Sequence, residues 1–248
     1  MLKSDQLKYL IPNSFTASSM ALGVVSAYLS SQGEFNLAAW MITWGVLLDK
    51  LDGSAARLFN ASSDFGVQFD SFADFVIFGI APASLFYHWL GGINSSYHGV
   101  LAAIACLYVV LTATRLALFN ISTPPGGDSY FFGLPTTLSG ATLSTFYLST
   151  EIYAPNMFKV GQMSEVTQLS LMTLLMVAAL LMVSRFVLPK LKPRKSKAIN
   201  IFQFVNIGLV YVMSPFKLYP EYLLVLCIIY LCVGSISGLI HGVQLKEE

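Results

Sequence analysis

Charge is scarce in this chain. Its 248 residues include 14 Lys or Arg and 13 Asp or Glu, 11% charged against 55% hydrophobic, where a soluble domain has roughly 25% charged residues. The formal net charge is only +1, and no basic tract of the kind that grips a phosphate backbone is present, so nucleic acid is excluded as a partner. Cysteine is scarcer still. Cys106, Cys227 and Cys232 sit in apolar stretches with neither a framework nor a zinc spacing, and read as small core residues. His88, His98 and His241 share no spacing either, so a metal would have to be held by oxygen. Residues 1–13 are too polar for a cleavable leader, and read as an interfacial lead-in. Connections are about a dozen residues at most, which leaves no room for a soluble domain.

What is present is apolar, with a mean hydropathy of +0.67. At about 20 residues per crossing, runs near 14–31, 36–58, 66–89, 97–118, 133–152, 167–188, 199–216 and 220–242 predict eight spans within one integral membrane domain, 1–248. The expected fold is an all-α polytopic transmembrane helix bundle. Pro12-Asn13 reads as the start of the first helix. Lys3 and Lys8 precede the first span, and Lys190, Lys192, Arg194, Lys195 and Lys197 follow the sixth, which puts both termini on the cytoplasmic side. The latter run is a topology signal that also attracts anionic lipid. Trp40, Trp44 and Trp89 suit the aromatic belts at the membrane surfaces.

Against this background the acids stand out. Asp49-x2-Asp52-Gly53-x2-Ala56-Arg57 is followed after eight residues by Gly66-x3-Asp70-x3-Asp74. An uncompensated charge at bilayer depth costs roughly 2.5 to 3.5 kcal/mol on insertion scales, so such acids face a cavity, a metal or a partner. At 100° per residue, Asp49, Asp52, Gly53 and Ala56 share one face of the second span, and Gly66, Asp70 and Asp74 one face of the third. The short polar link through Asn60 and Ser63 makes a hairpin of the two, 36–89, and brings both pairs of carboxylates to one depth. Four converging carboxylates resist ionising together unless a counter-charge is supplied. Divalent cations with oxygen ligands, Mg²⁺, Mn²⁺ or Ca²⁺, supply it. Gly53 and Ala56 remove bulk from the same face, Arg57 is placed to clamp a phosphate, and Gly66 allows the helices to approach near their turn. Lys50, nearly in register with Arg57, is either a pocket cation or a snorkelling residue.

These residues match, at every fixed position, the signature of the CDP-alcohol phosphatidyltransferase family, which the chain therefore resembles. The resemblance implies a six-helix core and a membrane enzyme in which two divalent cations, Mg²⁺ or Mn²⁺, sit about the diphosphate of a CDP-linked lipid. An alcohol attacks the lipid-side phosphorus and CMP leaves. By the same resemblance Asp49, Asp52, Asp70 and Asp74 hold metal, Asp70 and Asp74 are catalytic, and Asp74 is the general base. Gly53, Ala56, Arg57 and Gly66 border the CDP-lipid, with Asn13 and Thr16 beside its diphosphate unless Asn13 only starts the helix.

Other segments resemble the serine-accepting branch of that family: Tyr9 to Thr16, Phe35 to Trp40, Phe65 to Asp74, Thr114 to Asn120 and Phe131 to Thr136. They imply CDP-diacylglycerol and L-serine as substrates, phosphatidylserine as product, and a homodimer with its active site facing the cytoplasm. Leu118 and Thr137 stand where the branch has a second Arg and a second Pro. Arg115 and Asn120, beside Pro124-Pro125-Gly126-Gly127, would bind lipid phosphate or the serine carboxylate, although a lone Arg at a span end also snorkels. The resemblance fades beyond about residue 145, and the spans in 167–242 are the least family-like. Two other readings stand beside this one: the same reaction with an inositol, a glycerol phosphate or another polyol, and a cation transporter, which would spread its carboxylates along a pore.

Overall fold

The computed structural model describes residues 4–122, 130–185, 187–190 and 197–240. Lys3, the Pro124-Pro125-Gly126-Gly127 segment, Lys192, Arg194, Lys195, His241 and the three C-terminal residues lie outside them. The first helix, α1 (Ser4–Ser31), runs straight through Pro12, so that proline does not start it. A helix accepts proline at the cost of one amide donor, and here the loss falls near the polar lead-in.

Gly33, at φ 83, ends this rod, with Glu34 donating back to the Leu29 carbonyl at 3.0 Å. The chain returns as α2 (Phe35–Leu58), antiparallel to α1. The bonds from Ser26 to the Ala38 carbonyl, Ser19 to the Gly45 carbonyl and Thr16 to Asp52 mark the register along the pair. Small residues at this contact bring the two backbones close.

After a short turn, α3 (Asp64–Asp74) passes through a π-helical stretch (Phe75–Ile80) into α4 (Ala81–Trp89). Together they form one 26-residue rod, Asp64–Trp89. A 3₁₀ turn (Gly92–Asn94) leads to α5 (His98–Ser122), followed by α6 (Thr136–Tyr153), α7 (Glu165–Met182), α8 (Lys197–Met213) and α9 (Pro220–Ile240). Among the described residues, Asp64–Trp89, His98–Ile121 and Glu165–Met182 are long and apolar enough to cross a membrane, and Asn200–Met213 and Pro220–Ile236 are shorter apolar helices.

The expected span 167–188 ends early. The α7 helix stops at Met182, and residues 187–189 form a short strand, β2 (Val187–Pro189), paired antiparallel with β1 (Tyr130–Phe132). Gly133 makes this possible: at φ +72 its position faces the Met182 carbonyl oxygen, 2.1 Å from where a Cβ would stand. Leu134 then donates to the Leu181 carbonyl at 2.9 Å. The fifth expected span, 133–152, is consequently the helix α6, which begins at Thr136 rather than 133.

The core lies along α2, α4, α5, α6 and α7. Trp89 meets Phe86 at 5.3 Å and Tyr147 at 4.9 Å between ring centres. Trp40 and Trp89 are buried inside the bundle, not set in a belt, and Trp44 donates its indole N–H to the Ser214 carbonyl at 2.8 Å. Cys106 and Cys232 are exposed and Cys227 half-buried, so the expectation of three core cysteines does not hold, though all three are free thiols. In α6 the hydroxyls of Thr142, Ser144, Thr145, Ser149 and Thr150 each bond a carbonyl of their own helix.

Candidate active site

The acids sit at the turn end of the α2–α3 hairpin. Asn60 takes a left-handed φ of 48, which asparagine tolerates better than most residues. Ala61 reaches back to the Ala56 carbonyl at 2.8 Å. Ser63 then caps α3, accepting from the Gly66 amide at 3.0 Å. The chain reverses here, and α1 packs against both α2 and α3, so that their carboxylates face one another across a space the two backbones do not close.

Asp49, Asp70 and Asp74 each offer a carboxylate oxygen within 4.8 Å of the others. Asp49 is in hydrogen-bond contact with Asp74, and Asp52 with Asp70. Two carboxyl oxygens in such contact need a proton or a cation between them. Asp52 lies beside the trio, 6% exposed, and accepts from Thr16 Oγ1 at 3.0 Å. A hard cation that binds oxygen at about 2.1 to 2.6 Å holds its ligand oxygens within roughly 5 Å of each other. An all-oxygen donor set drawn from two helices therefore fits a divalent cation.

The remaining predicted residues divide by position. Gly53 leaves α2 open, since a Cβ there would meet only Arg57 Nη1, at 3.7 Å. Ala56 is half-buried on the same helix, and Arg57 is exposed, its Nη2 3.4 Å from Ser54 Oγ. Gly66 faces Asn13, whose Oδ1 would lie 3.7 Å from a Cβ. Thr16 is buried and reaches the site through Asp52. Arg115 is 6% exposed, lies over the Phe119 ring at 4.8 Å and feels the charge of Asp74. Its Nε has no hydrogen-bond partner among the described residues. A snorkelling arginine would hold its guanidinium out, and this one does not. Asn120 donates to Ser71 Oγ at 2.9 Å and ties α5 to α3. Lys50 is exposed and within charge range of Asp49 and Asp70. His88 and His98 join no metal-binding cluster among the described residues.

Several participants are not among the residues expected at the site. Thr136 approaches Asp74 Oδ2 at 3.5 Å, and Thr137 lies beside Asp49, both from the start of α6. Tyr211 of α8 donates to the Leu47 carbonyl at 3.2 Å and lies within charge range of Asp49 and Asp52. Thr137, noted only as a departure from the serine-accepting pattern, touches the site directly.

Comparison with known proteins places these elements. The model of the CDP-alcohol phosphatidyltransferase family matches residues 9–188, leaving α8 and α9 beyond it. A Helicobacter pylori protein named CDP-diacylglycerol–serine O-phosphatidyltransferase is 43% identical over 127 residues, 51% of this chain and 52% of the relative. A Bacillus subtilis protein of the same name is 32% identical over 151 residues, 61% of this chain and 81% of the relative. The archaetidylserine synthase of Methanothermobacter thermautotrophicus is 34% identical over 141 residues, 56% of this chain and 58% of that protein. The chain thus spans about half the length of the first of these relatives.

Proposed function

The chain belongs to the CDP-alcohol phosphatidyltransferase family, and from that premise we propose that it transfers the phosphatidyl group of CDP-diacylglycerol to the hydroxyl of L-serine, giving phosphatidylserine and CMP. The observation that carries the reading is the gathering of Asp49, Asp70 and Asp74 on one hairpin with Asp52 alongside. Carboxylates gathered at one depth speak for a reaction centre over an ion path. Serine as acceptor is supported by the names of the three relatives, which share serine and differ in the lipid.

In this reading Asp49, Asp52, Asp70 and Asp74 hold two divalent cations, Mg²⁺ or Mn²⁺. When bound, these would neutralise the diphosphate and the charge developing on the departing CMP. Asp74 takes the proton of the serine hydroxyl as the new oxygen–phosphorus bond forms and the bond to CMP breaks. Thr136 and Thr137 orient the carboxylates of Asp74 and Asp49. Gly53 and Ala56 give the nucleotide a flat approach, and Arg57 clamps its diphosphate. Gly66 and Asn13 close the turn end, and Thr16 steadies Asp52. Arg115, a buried cation beside Asp74, takes the serine carboxylate or the lipid phosphate, with Asn120 bordering the same side. The protein is read as an integral membrane enzyme of eight spans, with termini and active site on the cytoplasmic face as its Lys and Arg indicate. The family resemblance supports a homodimer.

The test is CMP release by the purified full-length protein with CDP-diacylglycerol and Mn²⁺, offered L-serine, inositol, glycerol 3-phosphate or water in turn. Release with serine alone is expected. Release with one of the other alcohols instead would keep the reaction class and replace the acceptor, and no release with any would overturn the proposal.

A further inference from the structure

The helix that carries Asp70 and Asp74 changes its winding immediately after Asp74. Phe75–Ile80 is π-helical, and the Ala81 amide reaches back five residues to the Val76 carbonyl. The cause is written three residues on from Gly79. Pro82 has no amide to give, and its ring crowds the carbonyl four residues earlier, that of Phe78. In a regular α-helix that carbonyl would accept from residue 82. Instead it accepts from the Tyr108 hydroxyl of α5 at 3.1 Å, and the same hydroxyl is 3.0 Å from Ser139 Oγ of α6. Tyr108 and Phe78 are fully buried, so this carbonyl has no water to turn to.

Close packing fixes the widened turn from several sides. A Cβ on Gly23 of α1 would stand 2.8 Å from Ile77 Cα, one on Gly45 of α2 2.3 Å from Ile77 Cγ1, and one on Gly140 of α6 2.7 Å from Phe78 Cδ1. Gly79 itself admits Thr112 of α5, whose Cγ2 would be 3.0 Å from a Cβ. Residues 77–79 are therefore held in place by four neighbouring helices. A π turn adds one residue to the helix, and one residue is about 100° of rotation. Everything before the turn, Asp70 and Asp74 included, is rotated by that amount relative to the helix that follows it, and the clamp on residues 77–79 holds the offset.

We propose that Tyr108 is a positioning residue of the acidic site: by bonding the Phe78 carbonyl that Pro82 leaves without an amide, it holds the π turn that aims Asp70 and Asp74 at Asp49 and Asp52. The same hydroxyl steadies α6 through Ser139, one turn after Thr136, which approaches Asp74. This rests on reading the four acids as the metal-holding set, and not on the identity of the acceptor.

The test uses the full-length purified protein and two variants. Mn²⁺ affinity is read by electron paramagnetic resonance, thermal stability by scanning, and kcat and KM by CMP release. Tyr108→Phe keeps the ring and removes only the hydroxyl; Mn²⁺ affinity and kcat are expected to fall about tenfold, as for other groups that orient metal ligands, with KM for serine little changed. Pro82→Ala returns an amide to the Phe78 carbonyl. Its thermal midpoint is expected to hold or rise while its Mn²⁺ affinity falls, whereas a merely structural role would move both in one direction. Wild-type Mn²⁺ affinity in both variants would overturn the proposal, as would an affinity that drops only in step with stability in both. A wild-type protein that binds Mn²⁺ yet transfers to no alcohol would sink the transferase reading and leave this one standing.

Discussion

Thr16→Val isolates one hydroxyl at the edge of the site. Valine keeps the branched shape of threonine, so the buried contact between α1 and α2 is preserved and only the hydroxyl is lost, which stands 3.0 Å from Asp52 Oδ2 and 3.1 Å from the Pro12 carbonyl. A hydrogen bond to a charged group contributes about 1.5 to 3 kcal/mol. The lower end applies here, because the same hydroxyl is shared with the Pro12 carbonyl. At a factor of ten for each 1.36 kcal/mol, about 1.5 kcal/mol corresponds to roughly a tenfold loss. The ionised carboxylate is the form that loses, so the defect should concentrate where Asp52 must hold a cation. In serine-dependent CMP release, kcat/KM for CDP-diacylglycerol is expected to fall about tenfold at limiting Mn²⁺ and to recover in part at saturating Mn²⁺. Thr16→Ser, which retains the hydroxyl, is expected to behave like the wild type. Unchanged Mn²⁺ dependence in Thr16→Val, or equal damage in Thr16→Ser, would refute the reasoning, the second because it would point to packing.

Other outcomes follow from the same geometry. Asp74→Asn removes the proposed base and one member of the carboxylate trio, and serine-dependent turnover should drop by about a hundredfold or more; near-normal kcat would remove Asp74 from the mechanism. Chelation by EDTA should stop CMP release, and added Mn²⁺ or Mg²⁺ should restore it; full activity after exhaustive chelation would argue against the metal reading of the donor set. Gly133→Ala forces a Cβ against the Met182 carbonyl at a backbone φ of +72, with a cost of about 1 to 3 kcal/mol that should appear as a lower thermal midpoint.

The hairpin and its acids were legible because intramembrane charge is expensive and helix periodicity assigns faces without further information. Asp49, Asp52, Asp70 and Asp74 do meet, and the turn at Asn60 and Ser63 lies where the polar link suggested. What helix periodicity misses is a change of period. Pro82 was the visible sign of the π turn, but its effect depends on Tyr108, 26 positions further on, and on glycines from three other helices. Pro12 misled in the opposite sense, since a proline ends a helix only where the lost amide cannot be spared. The β1–β2 pair depends on Gly133 meeting the end of α7, a contact with no local pattern. Trp40 and Trp89 were assigned by a compositional habit of membrane proteins, whereas the bundle had room for both indoles inside. Thr136 and Thr137 were hidden because a hydroxyl near a helix start looks the same whether it caps the helix or faces a carboxylate.

The self-bonded hydroxyls of α6 bear on how this helix is accommodated in hydrocarbon. A hydropathy sum treats every Ser and Thr as a group stripped of water, and by that measure α6 is not among the helices apolar enough to cross. Thr142, Ser144, Thr145, Ser149 and Thr150 have already exchanged water for a carbonyl one turn back. Each such bond lowers the transfer cost on the order of 1 kcal/mol relative to an unpaired hydroxyl. The helix is therefore less water-loving than its composition, and its remaining site-side hydroxyls, on Thr136, Thr137 and Ser139, are left to face the carboxylates and the tyrosine.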